Sequence, residues 1–543
     1  MAIRATLLSP TGRVIDLERA LTARPGQEQR LELPFSINER GKWQASVTCT
    51  DAATGTLLCA SAPTSFVVPP LLRARVAVPW YRGRIFSKMH LSEVEIECEV
   101  ALREFAPGMR LVVVPSQDTP GRLAGQAAVT DRVITVKLPC ADLPEGRYEL
   151  EVGLLDQKSE MLARVKGLSI QKLPPAETEI WFGRDNNMLI NGTPHFPTGF
   201  YSLDSRGMMQ SAADGGYTLF HTYASSRYTR LDPATTDWDW QAYFDTGAAA
   251  GMRCFSGFGI RGDDTEDFWP KLLAGEKPEA ERIMTAFIER YRNHPGLGAW
   301  YVYDEPELHG RTVEEMAWAY DLVDRLDPCH PKVVCQVGWT DDRYVDSLDV
   351  LMPDPYPIRA TNSRPLRFVS RAVAEARRTV SDEKPVWPVL QWYAYEGGRF
   401  PTPTEMRCMA FLAVAAGAKG LTWYSFYHGY KTDAAHWPDM QAIGRELRGV
   451  EDVVLAPEAQ IRLETDPAEP PVEMLIKRGA TGLHVVLVNY SDQPLQGLRL
   501  SFPVDVTSAR DRLSGETYPL TGNTLHLDLE AYQPMVLDVA VDP

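Results

Sequence analysis

Asp304 and Glu305 stand side by side at the end of a short apolar run, Trp300-Tyr301-Val302-Tyr303, with Pro306 and Glu307 directly behind them. A carboxylate pair at the end of a hydrophobic strand is costly to desolvate there unless it is used. Burial raises the proton affinity of a carboxyl group, which is what a general acid needs near neutral pH. The plainer account of the same residues is a solvated turn, or the cap of the next helix.

The surrounding elements present these acids in a definite way. Ile283, Met284, Phe287, Ile288 and Tyr291 fall three and four apart, so a helix runs towards the site. Asn293-His294-Pro295-Gly296 stops it. Residues 297–303 then read as a buried strand. Seven further segments have the same look: 196–201, 217–222, 253–259, 332–337, 350–353, 386–391 and 420–426. Helical segments separate most of them. Thr312 with Glu315, and Thr402 with Pro403 and Glu405, have the spacing of capped helix starts. Eight strands alternating with helices predict a (β/α)8 TIM barrel over 176–452, whose function gathers at the C-terminal ends of the strands.

Those ends share one chemistry. In strand order they carry Tyr201 and Asp204; His221 and Tyr223; Phe258, Arg261, Asp263 and Asp264; Asp304 and Glu305; Gln336 and Trp339; Asp354 and Tyr356; Gln391, Trp392, Tyr393, Tyr395 and Glu396; and Trp423, Tyr424, Tyr427 and His428. Flat rings stack on sugar faces while amides and carboxylates bond hydroxyls, so the set suits a neutral polyhydroxylated ligand. Any one of these rings, taken alone, is better read as packing. No glycine-rich loop for phosphate is present.

Three stretches carry a resemblance to the catalytic domain of (β/α)8-barrel glycoside hydrolases. Residues 191–201, Asn-Gly-Thr-Pro-His-Phe-Pro-Thr-Gly-Phe-Tyr, are similar to the opening strand of such barrels. Trp300 to Pro306 resembles the fourth-strand motif, with Asp-Glu-Pro in place of the more usual Asn-Glu-Pro. Residues 415–424, Ala-Ala-Gly-Ala-Lys-Gly-Leu-Thr-Trp-Tyr, resemble the last strand and its lead-in. The resemblance implies an enzyme that cleaves O-glycosidic bonds of an oligo- or polysaccharide, with Glu305 as general acid/base. It also implies a clan-A-like nucleophilic glutamate at the end of strand seven, where this chain has Gln391 instead. Asp354 or Glu396 would supply the second carboxylate, at about 5 Å from the first in a retaining enzyme and about 6.5–9.5 Å in an inverting one. Alternatively Asp304 orients the acetamido group of the substrate, as in substrate-assisted hexosaminidases, although strand alternation aims neighbours at opposite faces. A third reading is a barrel that binds carbohydrate without cleaving it. Tyr201, His221, Trp339, Tyr356, Gln391, Trp392, Tyr393, Trp423 and Tyr427 are the expected substrate-holding residues.

The flanks are of a different texture. The 43–50 segment, Trp-Gln-Ala-Ser-Val-Thr-Cys-Thr, alternates apolar and polar residues. Pro-Pro pairs at 69–70 and 174–175 mark boundaries. Two immunoglobulin-like β-sandwiches over 1–69 and 70–173, and a C-terminal β-sandwich over 456–543, complete a multidomain α/β plus all-β chain. Such a count suits 543 residues. A net charge of −16 argues against nucleic acid, and no apolar run is long enough for membrane insertion. Carbohydrate is the expected partner, and nothing sets an oligomeric state. The eight cysteines show no zinc-like spacing, so neither a metal nor another cofactor is expected. Cys49 and Cys59 flank a hairpin turn and read equally well as a disulfide or as two free thiols. Met1-Ala2-Ile3-Arg4 leads straight into a strand pattern, and a secreted or periplasmic protein with its leader removed is favoured over a cytoplasmic one.

Overall fold

The computed structural model describes residues 1–22, 30–33, 40–102, 104–116, 123–203, 205–221, 239–258, 265, 267–395 and 397–542. They fall into two compact units, Met1–Pro174 and Pro175–Pro543.

The second unit is built on eight parallel strands: β1 (Thr198–Phe200), β2 (Leu219–Phe220), β3 (Arg253–Gly257), β4 (Leu297–Asp304), β5 (Lys332–Gln336), β6 (Val350–Pro353), β7 (Val389–Gln391) and β8 (Leu421–Tyr424). They pair in the order β6-β5-β4-β3-β2-β1-β8-β7. A parallel bridge between Leu351 and Val386, just ahead of β7, closes the ring. This is the expected TIM barrel. Its helices include α1 (Arg206–Asp214), α2 (Trp240–Ala249), α3 (Phe268–Leu273), α4 (Lys277–Tyr291), α5 (Val313–Leu326), α6 (Phe368–Thr379) and α7 (Pro403–Ala415). Between β5 and β6 a short 3₁₀ turn, Asp342–Ser347, takes the place of the helix. Both capping boxes form: Thr312 with Glu315 opens α5, and Thr402 with Glu405 opens α7. Each satisfies two backbone donors that a helix start would otherwise leave unpaired.

The layer between strands and helices holds the largest side chains, among them Phe200, Phe220, Trp300, Trp392 and Trp423. One irregularity aims the site. Tyr301 pairs with Val333 of β5, yet Tyr303 pairs with the very next residue, Val334. The extra residue in β4 is a bulge, and a bulge inverts the alternation of every side chain after it. Tyr303 therefore packs outward against Trp269, ring centroids 4.5 Å apart, and Asp304 shares the inner face with Tyr301.

A three-stranded sheet, Ile180–Phe182, Met188–Ile190 and Thr193–His195, precedes the barrel and sets Phe182 against Trp387. After the barrel come α8 (Phe426–Asp433), α9 (Trp437–Gly449) and a sandwich of one four-stranded and one five-stranded sheet. Its strand Gly482–Asn489 is buried on both faces. Val485 and Leu487 enter the sandwich core, while Val486 and Val488 join the core of the barrel.

In the first unit, the described residues before Pro69 form one five-stranded antiparallel sheet. Trp43 is buried as expected, but Val47 on the same face is 41% exposed. Its partner across the sheet is Ala5, too small to cover it. Cys49 lies opposite Cys59, and both thiols are free. The following residues form a five-stranded and a three-stranded sheet around a core that includes Val94, Ile96, Leu111, Val136, Leu150 and Val152. Tyr148 there donates to the carbonyl of Pro144 at 2.7 Å, a corner of the kind found in immunoglobulin-like sandwiches.

Candidate active site

Glu305 ends β4 with φ +49°, a left-handed conformation that costs a non-glycine residue about 1–3 kcal/mol. Its backbone is held by four hydrogen bonds. Its N–H donates to the carbonyl of Cys335 on β5 at 3.0 Å, and its carbonyl accepts from Leu308 N at 3.1 Å, His309 N at 3.4 Å and His309 Nδ1 at 3.0 Å. Strain so fixed points the Glu305 side chain across the barrel mouth towards β6. There it meets Asp354, one residue past the end of that strand and only 5% exposed. The two carboxyl groups lie close enough to be electrostatically coupled, and Asp354 Oδ1 is buried without a hydrogen-bond donor among the described residues.

Two carboxylates cannot both be ionised in that arrangement without repulsion. Burial raises Glu305 above the ordinary glutamate range, and its pairing with Asp354 draws it part of the way back. Burial, followed by the charge of Glu305, pushes Asp354 well above the aspartate range. The more deeply buried aspartate is therefore the one driven further towards its protonated form. Asp304 adds a third negative group nearby, which raises both members of the pair.

Beneath the pair lies a chain of hydroxyls. Tyr201 at the end of β1 donates to Tyr301 Oη at 3.2 Å, and Tyr301 donates to the Asp304 carboxylate. His221 at the end of β2 sits among the rings of Tyr201, Phe255 and Tyr301, with centroids 5.0, 4.6 and 4.7 Å away. Burial drives its pKa down to about 3, so it is a neutral imidazole. Beside the pair rises a wall of tyrosines. Tyr393 contacts Tyr356 at 5.2 Å and Tyr424 at 5.0 Å in edge-to-face geometry. Tyr356 and Tyr393 are both pushed up by burial first, and the neighbouring charge of Asp354 adds to it. Mostly buried rings with an exposed edge beside two carboxyl groups are the elements of a sugar-binding cleft.

Asp304, Glu305, Asp354, Tyr201, His221, Tyr356 and Tyr393 are thus brought together. Five other expected substrate-holding residues are not. Gln391 is fully buried, and its amide is committed to the backbone. Its Nε2 donates to the carbonyls of Ile358 at 2.6 Å and Tyr393 at 3.1 Å, and its Oε1 accepts from Ile358 N at 2.9 Å. It clamps the loop after β6 to β7. Trp392 faces the helix layer, stacked on Trp437 at 6.0 Å and lying directly over Gly429, where any Cβ would strike its ring. Trp423 is in the same layer. Trp339 donates from Nε1 to Glu375 of α6 at 3.1 Å and rests on Phe368, which turns it away from the mouth. Tyr427 accepts from Lys431 Nζ at 2.7 Å on its own helix. Glu396, with Asp204, Tyr223, Arg261, Asp263 and Asp264, lies outside the described residues.

The sequence reading passed over Tyr301, Cys335 and Glu307. Cys335 is the inward-facing residue of β5 next to Gln336, and burial raises its thiol well above the usual range, so it stays protonated. Glu307 accepts from Gly338 N at 2.6 Å and so ties the loop after β4 to the loop after β5. Tyr301 was legible by strand parity, because Trp300 and Val302 on either side are apolar residues of the helix layer. Among the described residues, no group of three His, Cys, Asp or Glu side chains could hold a metal ion. No helix among them is long and apolar enough to cross a membrane.

No protein-family model matches the chain, and no curated protein matches it in sequence. Solved structures do resemble it. A crystal structure described as a putative alpha-galactosidase/melibiase from Bacteroides fragilis has a TM-score of 0.43 at 10% identity, over 80% of this chain and 91% of the other. A GH27 β-L-arabinopyranosidase from Geobacillus stearothermophilus also has a TM-score of 0.43, at 14% identity, over 64% of this chain and 97% of the other. A GH2 β-galacturonidase from Eisenbergiella tayi has a TM-score of 0.36 at 12% identity, over 82% and 96% of the two chains.

Proposed function

We propose that the chain is a glycosidase that hydrolyses O-glycosidic bonds of an oligo- or polysaccharide, with Glu305 and Asp354 as its working carboxyl pair. One observation carries the reading: two electrostatically coupled, partly or fully buried carboxyl groups, both with raised proton affinity, stand at the barrel mouth beside a wall of tyrosine rings. Asp354, which keeps the proton, donates it to the glycosidic oxygen as the bond breaks. Glu305, ionised and less buried, faces the anomeric carbon, as nucleophile or as the base for water. On sequence alone Glu305 is the proton donor and the second role falls to Asp354, Glu396 or Asp304; in the proposed pair Asp354 is the donor and Glu305 its partner. Gln391 does not stand against catalysis, because its amide is engaged with the backbone and was not a candidate for attack.

Aryl glycosides with good and poor leaving groups test the assignment. General acid help is worth about 10²–10⁴ in rate and matters least when the leaving group needs no proton. Asp354→Asn should lose that factor on alkyl glycosides and keep much of its activity on dinitrophenyl glycosides. Glu305→Gln should lose both. Reversed behaviour of the two variants would return the proton donor to Glu305. Wild-type protein that releases no reducing ends from any of a broad panel of glycosides and oligosaccharides would instead favour a barrel that binds sugar without cleaving it.

A further inference from the structure

Asp304 has a hydrogen-bond donor of its own, and that donor has another behind it. We propose that Tyr301, backed by Tyr201, is a positioning residue that keeps Asp304 ionised and aimed inward, so that this fixed negative charge sets how tightly the Glu305–Asp354 pair holds its proton. The inference rests on the carboxyl-pair reading above and adds the group that tunes it.

The geometry is specific. The β4 bulge puts Tyr301 and Asp304 on one face, although they stand three positions apart in a strand. Tyr301 can donate only one proton, and it goes to Asp304. Tyr201 donates to Tyr301 in turn, which polarises the bond to the carboxylate. Tyr201 and Tyr301 are both buried. A donated hydrogen bond favours the ionised form of a carboxyl group. Among the described residues, the other titratable groups that face this cluster are His221 from the end of β2, Cys335 from β5, Asp354 and Tyr356 from β6 and its loop, and Glu305, Glu307 and His309 from β4 and its loop. Burial keeps Cys335 and Tyr356 neutral, so neither competes with Asp304 for the Tyr301 proton.

The direction follows from charge. An ionised Asp304 raises the proton affinity of both Glu305 and Asp354. Without it the pair releases its proton at lower pH, and the alkaline limb of the activity profile moves down. The limb should move by about one pH unit in Asp304→Asn, a shift of the size charge neighbours commonly produce. Tyr301→Phe should move it in the same direction by less, and Tyr201→Phe by less again. The Tyr301→Phe/Asp304→Asn double variant should match Asp304→Asn alone, because Tyr301 acts only through Asp304. Shifts that add in the double variant, or a Tyr301→Phe limb that stays put while Asp304→Asn moves, would overturn the proposal.

A second readout does not depend on turnover. Protein labelled with ¹³C at aspartate and glutamate carboxyl carbons reports the titration of the pair by NMR. If the Asp354 midpoint falls in Tyr301→Phe while no glycoside is cleaved, the tuning stands and the glycosidase reading falls. If cleavage is robust and the midpoint does not move, the tuning falls alone.

Discussion

The two sides of the barrel mouth were read from residues of equal promise and turn out opposite. On the β4–β6 side, polar groups face inward and interact: Tyr301 bonds Asp304, and Glu305 is electrostatically coupled to Asp354. On the β7–β8 side, Trp392 and Trp423 face the helices and Gln391 bonds the backbone, while their chain neighbours Tyr393 and Tyr424 reach the tyrosine wall. The difference teaches that residue type at a strand end is a weak guide to function, while the parity of the strand is a strong one. A ring one position too early or too late is core.

Truncating a residue on each side tests that contrast. Trp392→Ala removes a fully buried indole that lies against Phe200, Phe426 and Trp437. Large-to-small changes of this kind cost about 3–5 kcal/mol. The expected result is a sharply lowered melting temperature with KM unchanged in the protein that remains folded. A Trp392→Ala variant of normal stability whose KM rises several-fold would move the ring back to the sugar.

The parts of the fold that could be read in advance are those fixed by local chemistry. The capping boxes at Thr312 and Thr402 are three-residue patterns, and both formed. All eight barrel strands were anticipated, because short apolar runs between helices have few other interpretations. Two things were hidden. The β4 bulge depends on how two strands pair and turns Asp304 inward, and the left-handed backbone at Glu305 then overturns the expectation that the two neighbours part company. The contact between Glu305 and Asp354 spans β4 and β6 with β5 between them, so nothing in the intervening 48 residues of sequence signals it. The mismatch at Gln391 was visible, but its meaning was not. An amide that replaces an expected carboxylate looks like a lost function until its hydrogen bonds are counted.

The carboxyl side makes the opposite prediction for stability. Asp354 has a raised pKa in the folded protein, so the folded state holds its proton more tightly than the unfolded chain. Its contribution is fully present below the unfolded aspartate range and is lost as pH rises through the folded value, at about 1.4 kcal/mol for each pH unit between the two. Asp354→Asn removes that loss and can still donate to Glu305. It should therefore melt higher than wild type at neutral pH, match it or fall below it near pH 3, and turn over poorly. A variant less stable than wild type at every pH would mean that Asp354 is a structural anchor. Removing a working group and gaining stability is the signature expected of a strained site.

Gln391 draws the finest line between the two sides, because it belongs to neither a sugar nor a core. Its amide joins Ile358 to Tyr393, and so joins the loop that carries Asp354 and Tyr356 to the strand that leads into the tyrosine wall. Gln391→Glu keeps the shape and removes both donors. It also sets a carboxylate against the carbonyls of Ile358 and Tyr393, each of which then lacks its bond at about 1–3 kcal/mol apiece. If residue 391 were a vacant nucleophile position, the new carboxylate would raise turnover. If it held a hydroxyl of the sugar, KM alone would rise. A clamp predicts a third pattern, in which melting temperature and kcat fall together because Asp354 and Tyr356 lose their placement. Gln391→Met, similar in length but without the amide, should share both defects, which ties the effect to the lost hydrogen bonds and not to the added charge.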